Sequence, residues 1–344
     1  MSLLEFRNAA ALAPQTPIVE AIGVGKEFGH HADLLQRGFQ RLGLSKPNPT
    51  VRAVNSVDLA IRRGEVVGLV GESGCGKSTF GRIVAGLLPP SSGRLNWEGR
   101  DSTSLRGRER VQAKLNVQMV FQNPMASLNP RMTIGDIIAE APQVHRLVSG
   151  SSADFIDAQM QRVGLDPQLK TRLPHEFSGG QRQRVGIARA LAVNPEFLVC
   201  DEAVAALDVS IQAQVINLLA DLRETLNLTY LFISHDLGVI KHLSDRVVVM
   251  YLGQVVEEAP TDEIFARANH PYTRSLLEEI PEINTEKRSF VAIKGELPSP
   301  LNPPSGCHFH PRCPLATARC RSEMPVLRQI APGHRSACHL NETS

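Results

Sequence analysis

The densest chemistry in the chain lies in one short run, Gly71-Glu72-Ser73-Gly74-Cys75-Gly76-Lys77-Ser78-Thr79. Glycine, four spacer residues and then Gly-Lys-Ser is a spacing that turns backbone N–H groups inward around phosphate oxygens. Lys77 can neutralise the terminal phosphates, and the Ser78 hydroxyl can ligate Mg2+. The run follows a short apolar stretch, Val66–Val70, and precedes a segment of helical periodicity. That order is strand, loop and helix, the setting in which such a run binds phosphate rather than forming a plain glycine turn.

Hydrolysis needs a second acidic site, because Mg2+ must be held and a water positioned for in-line attack. Phe197-Leu198-Val199-Cys200-Asp201-Glu202 supplies four apolar residues of a buried strand and two successive carboxylates at its end. Asp201 suits the Mg2+ sphere and Glu202 the attacking water. An acidic helix cap would explain one carboxylate but not the pairing with a phosphate loop. Upstream, Phe177-Ser178-Gly179-Gly180-Gln181 opens a helix rich in Arg and Gln, with Arg182, Gln183 and Arg184. Ser178 can cap that helix and the glycines expose its first N–H groups, which makes a second anion site.

About twenty residues ahead of the Asp-Glu strand, this second run resembles the signature motif of ABC ATPases, and the resemblance covers most of the chain. Gln122, after the strand ending at Val120–Phe121, looks like the family's Q-loop. Ala206-Leu207-Asp208 looks like its D-loop, and His235 in Ile233-Ser234-His235-Asp236 like its switch histidine. Phe28 matches the position where the family stacks an aromatic on adenine. The resemblance implies ATP and Mg2+ as cofactors, with Glu202, His235 and Gln122 as the catalytic set. It implies nucleotide contacts from Phe28, Gly71, Ser73, Gly74, Cys75, Gly76, Lys77, Ser78, Thr79, Ser178, Gly179, Gly180, Gln181 and Asp208, and Mg2+ contacts from Ser78, Gln122 and Asp201. It also implies a head-to-tail pair of ATPase subunits, in which Ser178 and Gly180 reach the nucleotide held by the other. One departure stands out. Where the family usually continues Asp-Glu-Pro-Thr-Ser-Ala-Leu-Asp, this chain has Asp201-Glu202-Ala203-Val204-Ala205-Ala206-Leu207-Asp208. Hydroxyls that would bond across the pair are missing here.

Three further segments are similar to the ATPases of oligopeptide and dipeptide importers. They are Phe121-Gln122-Asn123-Pro124 running on to Ala126–Thr133, His270-Pro271-Tyr272-Thr273, and Gly295-Glu296-Leu297-Pro298-Ser299-Pro300. That resemblance implies two membrane permease subunits as partners, a second ATPase that is a paralogue or a copy, and indirectly a substrate-binding protein. The expected place is peripheral, on the cytoplasmic face of a bacterial inner membrane. Relatives of this group also serve nickel, sugars or opines, so the solute stays open. A soluble ABC protein of translation or repair is the rival; such proteins usually carry two ATPase units or a long coiled-coil insertion, and neither is legible here.

The elements that must position these residues read as an α/β fold. Residues 17–28 and 51–61 alternate in the manner of half-buried strands, with a polar insertion, His30–Pro49, between them as a loop. Buried strands alternating with helices from Gly64 onward imply a largely parallel sheet with helices on its faces. The expected architecture is a RecA-like P-loop NTPase core with an antiparallel β subdomain, an inserted helical subdomain and a small Cys-rich extension. The divisions fall at 1–16 (tail), 17–265 (ATPase, with 124–176 as the helical insertion) and 266–344 (extension). The balance of 37 basic against 35 acidic residues leaves +2, no electrostatic footprint for nucleic acid. Apolar runs such as Val66–Val70 and Val247–Leu252 are strand-length, too short to span a membrane, and no secretory leader is expected from the start of the chain.

Of six cysteines, Cys307, Cys313, Cys320 and Cys338 crowd the Pro-rich end. A segment of about 35 residues with so much proline cannot fold on an apolar core alone and calls for a staple. A reducing compartment disfavours disulfides, which leaves metal. The spacing lacks the paired CxxC knuckles usual for zinc. The segment resembles the C-terminal extension of peptide-importer ATPases, some of which carry a 4Fe–4S cluster. That resemblance implies a cluster, with Zn2+ as the alternative and free thiols as the bland reading. For zinc, His308, His310, His334 or His339 could replace a thiolate. Cys75 and Cys200 read as inert small residues.

Overall fold

The computed structural model describes residues 16–29, 50–280 and 295–343. The polar insertion His30–Pro49 lies outside the described residues, as does nearly all of the tail at 1–16.

Two sheets organise the chain. Strands β1 (Val19–Phe28), β2 (Val51–Ile61), β4 (Ser92–Trp97) and β5 (Arg100–Asp101) form an antiparallel sheet in the order β2-β1-β4-β5. In β2 the buried positions switch from Val54 to Val57, Leu59 and Ile61, a change of parity at Ser56, whose φ is 52°. A bulge there keeps the apolar side chains on one face although the alternation slips by one.

The second sheet has β3 (Val66–Val70), β6 (Val117–Val120), β7 (Phe197–Asp201), β8 (Thr229–Ile233) and β9 (Arg246–Tyr251) running parallel in the order β9-β3-β8-β7-β6. Every residue of β3, β7 and β8 is buried, as expected of strands covered on both faces. Alternate residues feed two cores. Val67, Leu69, Phe197, Val199, Leu231 and Ile233 pack with helix Lys77–Val84 and the antiparallel sheet. Val66, Val70, Leu198, Cys200, Tyr230 and Phe232 pack with helices Gly179–Leu191 and Val209–Leu226 on the other side. The same core takes in Ile134, Ile137 and Ile138 of helix Ile134–Val144 and Met160 of helix Ser152–Arg162. Those two helices start where Thr133 and Ser151 accept the N–H groups of Asp136 and Asp154.

The parallel sheet acquires an antiparallel edge that the alternation of strand and helix does not foretell. Strand β10 (Gln254–Pro260) turns back on β9, and the chain end supplies β12 (His334–Ser336) and β11 (Arg328–Ala331) beyond it. The Cys-rich end is therefore not set apart from the ATPase body: it completes the sheet, and Phe309 enters the main core. The physical cause is the free edge of β10, whose N–H and C=O groups need partners.

Candidate functional site

The phosphate loop leaves β3 and enters helix Lys77–Val84 at Gly76, which stands at φ 106°. A Cβ at Gly76 would fall 2.1 Å from the Ala53 carbonyl oxygen, and one at Gly71 would fall 2.2 Å from that of Met250. Both glycines are thus required by close backbone packing as well as by their angles. The loop is also tied from behind. Gly253, in the β9–β10 turn, donates its N–H to the Cys75 carbonyl at 2.8 Å and accepts that of Asn55, also at 2.8 Å. Lys77 is buried, and its Nζ donates to the carbonyls of Gly71 at 2.6 Å and Glu72 at 3.0 Å. Cys75 is buried under the loop, and burial raises its thiol above the ordinary range. It is a neutral filler, as is Cys200, which burial pushes up to about 12.

Ser78 Oγ donates to Asp201 Oδ1 at 2.8 Å, so the hydroxyl of the loop and the carboxylate ending β7 share one locus. Burial raises the Asp201 carboxyl above its usual range, against the pull of Ser78, Arg82 and Lys77. Glu202 follows in the left-handed region at φ 48°, a conformation costly for a residue with a Cβ. Its N–H donates to the Ile233 carbonyl at 2.9 Å, which secures that turn against β8. The turn aims the carboxylate at two partners. Gln122 Nε2 donates to Oε2 at 2.6 Å, and His235 Nδ1 lies 3.6 Å from Oε1. A cavity of about 440 Å3 opens beside this group, walled by Ser78, Gln122 and Asp201 and by two cations, Arg82 and Arg189. Arg189 donates to the Ser127 carbonyl and so joins helix Gly179–Leu191 to the segment after Gln122.

The second glycine run is built separately. Ser178 Oγ accepts the Gln181 N–H at 3.3 Å while Gln181 Oε1 accepts the Ser178 N–H at 2.9 Å, a reciprocal cap on helix Gly179–Leu191. A Cβ at Gly180 would meet Ile211 Cγ2 at 2.3 Å, so the turn rests on the helix that follows Asp208. Asp208 is exposed at the start of that helix, and Val209 beside it is 85% exposed. Phe28 ends β1 opposite Val51, 44% exposed, with Lys26 Nζ 5.5 Å from its ring centre.

The four C-terminal thiols of Cys307, Cys313, Cys320 and Cys338 line one cavity of about 10 Å3, the room of a single water. Among the described residues no group of three or more His, Cys, Asp or Glu is placed to hold a metal ion. Three of the histidines offered as substitute ligands are engaged through one ring nitrogen, His310 with the Cys307 carbonyl, His334 with Glu257 and His339 with the Glu323 carbonyl, and His310 and His339 also line the thiol cavity. Among the described residues, His308 Nδ1 and His339 Nδ1 have no hydrogen-bond partner. Burial raises the thiols of Cys307, to about 11, of Cys313 and of Cys338, and the neighbouring thiols push the same way.

Residues missed by motif spacing include Gly253, Arg82, Arg189 and Arg312. Arg312 donates to Glu72 of the phosphate loop across 240 positions, which no local pattern signals.

Residues 54–205 match the ABC transporter family, and residues 256–320 match the oligopeptide/dipeptide transporter C-terminal region. The oligopeptide transport ATP-binding protein AppF of Bacillus subtilis (strain 168) is 48% identical over 333 residues, covering 95% of this chain and 98% of that one. Among solved structures, cbiO1 of Clostridium perfringens, part of the ABC transporter complex cbiONQ, superposes with a TM-score of 0.59 at 25% identity, covering 73% of this chain and 92% of the other. The ATP-binding cassette MJ0796, bound to ADP and Pi, gives 0.60 at 26% identity, covering 71% and 98%.

Proposed function

Because this chain belongs to the ABC transporter ATPases, in the oligopeptide and dipeptide branch, we propose that it is the subunit whose ATP hydrolysis drives a bacterial importer of di- and oligopeptides. One observation carries the proposal. The likeness to AppF runs through both the ATPase segment and the C-terminal region, over nearly the full length of both chains. Among the described residues no helix is long and apolar enough to cross a membrane, so the pore is assigned to two permease subunits. In this reading the chain sits on the cytoplasmic face of the inner membrane and pairs head to tail with a second ATPase. A substrate-binding protein delivers the solute from the other side. The layout is read as a RecA-like core carrying an antiparallel subdomain, a helical subdomain over 124–176 and the extension from 266.

The chemistry follows from the site. Ser78, Asp201 and Gln122 would hold Mg2+, which supplies charge neutralisation at the phosphate oxygens. The inward N–H groups of the glycine loop and Lys77 bind the phosphates. Glu202 orients the attacking water and takes up its proton, and Gln122 and His235 keep that carboxylate turned toward the phosphate side. Ser178 and Gly180 complete the partner's site, so hydrolysis is read as a property of the closed pair.

The extension is read as held by a 4Fe–4S cluster, or by Zn2+ in the alternative. What supports this is that all four thiols line one cavity. Iron and sulfide in about four-to-four ratio with absorbance near 400 nm after anaerobic purification is the result expected. Zinc at one per chain would favour the alternative.

Purification with neighbouring subunits tests the whole reading. Two multispanning proteins should accompany the chain, and vesicles rebuilt from the complex and its binding protein should take up labelled peptides only with ATP. Recovery on ribosomes or DNA, or ATP-driven uptake of nickel, a sugar or an opine in place of peptides, would overturn the assignment.

A further inference from the structure

Within the phosphate loop, Glu72 is gripped twice from the C-terminal region, outside the ATPase motifs. Its N–H donates to Tyr272 Oη at 2.8 Å, and its carboxylate accepts from Arg312 Nη1 at 2.8 Å. Tyr272 is wholly buried in helix Pro271–Glu278, with its ring 4.7 Å from that of Tyr251 and 5.4 Å from that of Phe309. The side chain of Arg312 is 6% exposed, and its Nη1 also lies 3.5 Å from Tyr251 Oη. Phe309 and Arg312 both belong to the short span between Cys307 and Cys313. That span therefore reaches from the thiol cavity to the back of the phosphate loop.

The charge at Glu72 is the physical issue. A carboxylate inside a loop built to hold phosphates repels the ligand, and in a half-buried setting the repulsion is weakly screened. Arg312 cancels that charge through a direct, almost dry ion pair.

We propose that Arg312 and Tyr272 are positioning residues for nucleotide binding, Arg312 by neutralising Glu72 and Tyr272 by fixing the first turn of the phosphate loop. The C-terminal region is then a working part of the ATP site, not only a mark of the family. The inference rests on the ATPase reading and deepens it.

Nucleotide titration with a fluorescent ATP analogue, steady-state hydrolysis and thermal melting test it on the full chain. R312A should raise Kd and KM about tenfold, equivalent to about 1.4 kcal/mol, with kcat within about twofold of the parent. Adding E72Q to R312A should restore Kd to within about threefold, because the offending charge is gone, and R312K should fall between parent and R312A. Y272F should raise Kd about threefold. Unchanged affinity in R312A, or an affinity loss that E72Q does not rescue, overturns the proposal. If R312A fails to fold, E72Q alone decides: affinity equal to or tighter than the parent supports the charge role, and tenfold weaker binding refutes it. Failure of the parent chain to bind Mg-ATP would sink the ATPase reading instead.

Discussion

At the scale of residues, the catalytic reading turns on Glu202. Both Gln122 and His235 approach its carboxylate, at 2.6 and 3.6 Å, and its left-handed backbone is stabilised by the bond to Ile233. Glu202→Gln keeps the size and the contact to Gln122 but cannot take a proton. It should bind ATP normally and lose about 10²–10⁴-fold in turnover, which a phosphate-release assay beside a binding titration will measure. Near-normal turnover would show that another group positions the water. The replacement of Pro, Thr and Ser by Ala203, Val204 and Ala205 leaves these contacts intact. Ala203 and Val204 are buried in the core while Ala205 and Ala206 are exposed.

At the scale of elements, one buried carboxylate joins three pieces of the chain end. Glu257 of β10 accepts the N–H groups of Asn269 at 2.6 Å and His270 at 3.0 Å, and it bonds His334 of β12 at 2.7 Å. Glu257→Ala would strand those groups out of water and should cost about 3 kcal/mol or more in a urea titration, with early proteolysis of the Cys-rich end. A loss below 1 kcal/mol would show that the thiol site alone holds the end. His270 adds a pH dependence. Burial lowers its value to about 4 from the ordinary 6.5, with a backbone bond to Ala337 opposing. The unfolded chain therefore takes up the proton first. The stability is fully present above about 6.5 and is lost as pH falls toward about 4, at up to about 1.4 kcal/mol per pH unit for one proton. His270→Asn can still accept the Tyr272 N–H that His270 Nδ1 accepts at 3.1 Å, so it should flatten this slope between pH 7 and 5. An unchanged slope would exclude His270 as its source.

At the scale of the whole molecule, the second glycine run bears on the proposal that one chain is half of a paired ATPase. Ser178 and Gln181 cap each other, and the turn packs on Leu207 and Ile211, next to the exposed Asp208 and Val209. An exposed helix N-terminus beside an exposed apolar residue is a surface suited to a second subunit. Ser178→Arg should leave nucleotide binding by the isolated chain unchanged and lower turnover of the assembled transporter by about 100-fold. Equal loss of binding in the isolated chain would mean that the turn serves its own phosphate loop.

Legibility in the sequence follows from how far apart the cooperating atoms lie along the chain. The phosphate loop, the Asp201-Glu202 pair and the Ser178 cap are local devices, because a glycine turn, a strand end and a helix start each act through neighbouring backbone. Their residue types and spacing point to phosphate binding and water activation. Equally local are the continuous apolar runs that build β3, β7 and β8. Other features depend on pairings between distant positions that periodicity does not encode. Gly253 holds Cys75 from a turn on another strand, and β11 and β12 close the edge of β10. The cysteine pattern named a staple, but only packing decided that the thiols surround a water-sized void. Glu72 shows the division most clearly. The sequence by itself determined that it sits in a phosphate loop, as an unremarkable spacer. Only the tertiary structure decided that Arg312 and Tyr272 meet it there, because ion pairing and hydrogen bonding depend on distance in space and not on distance along the chain.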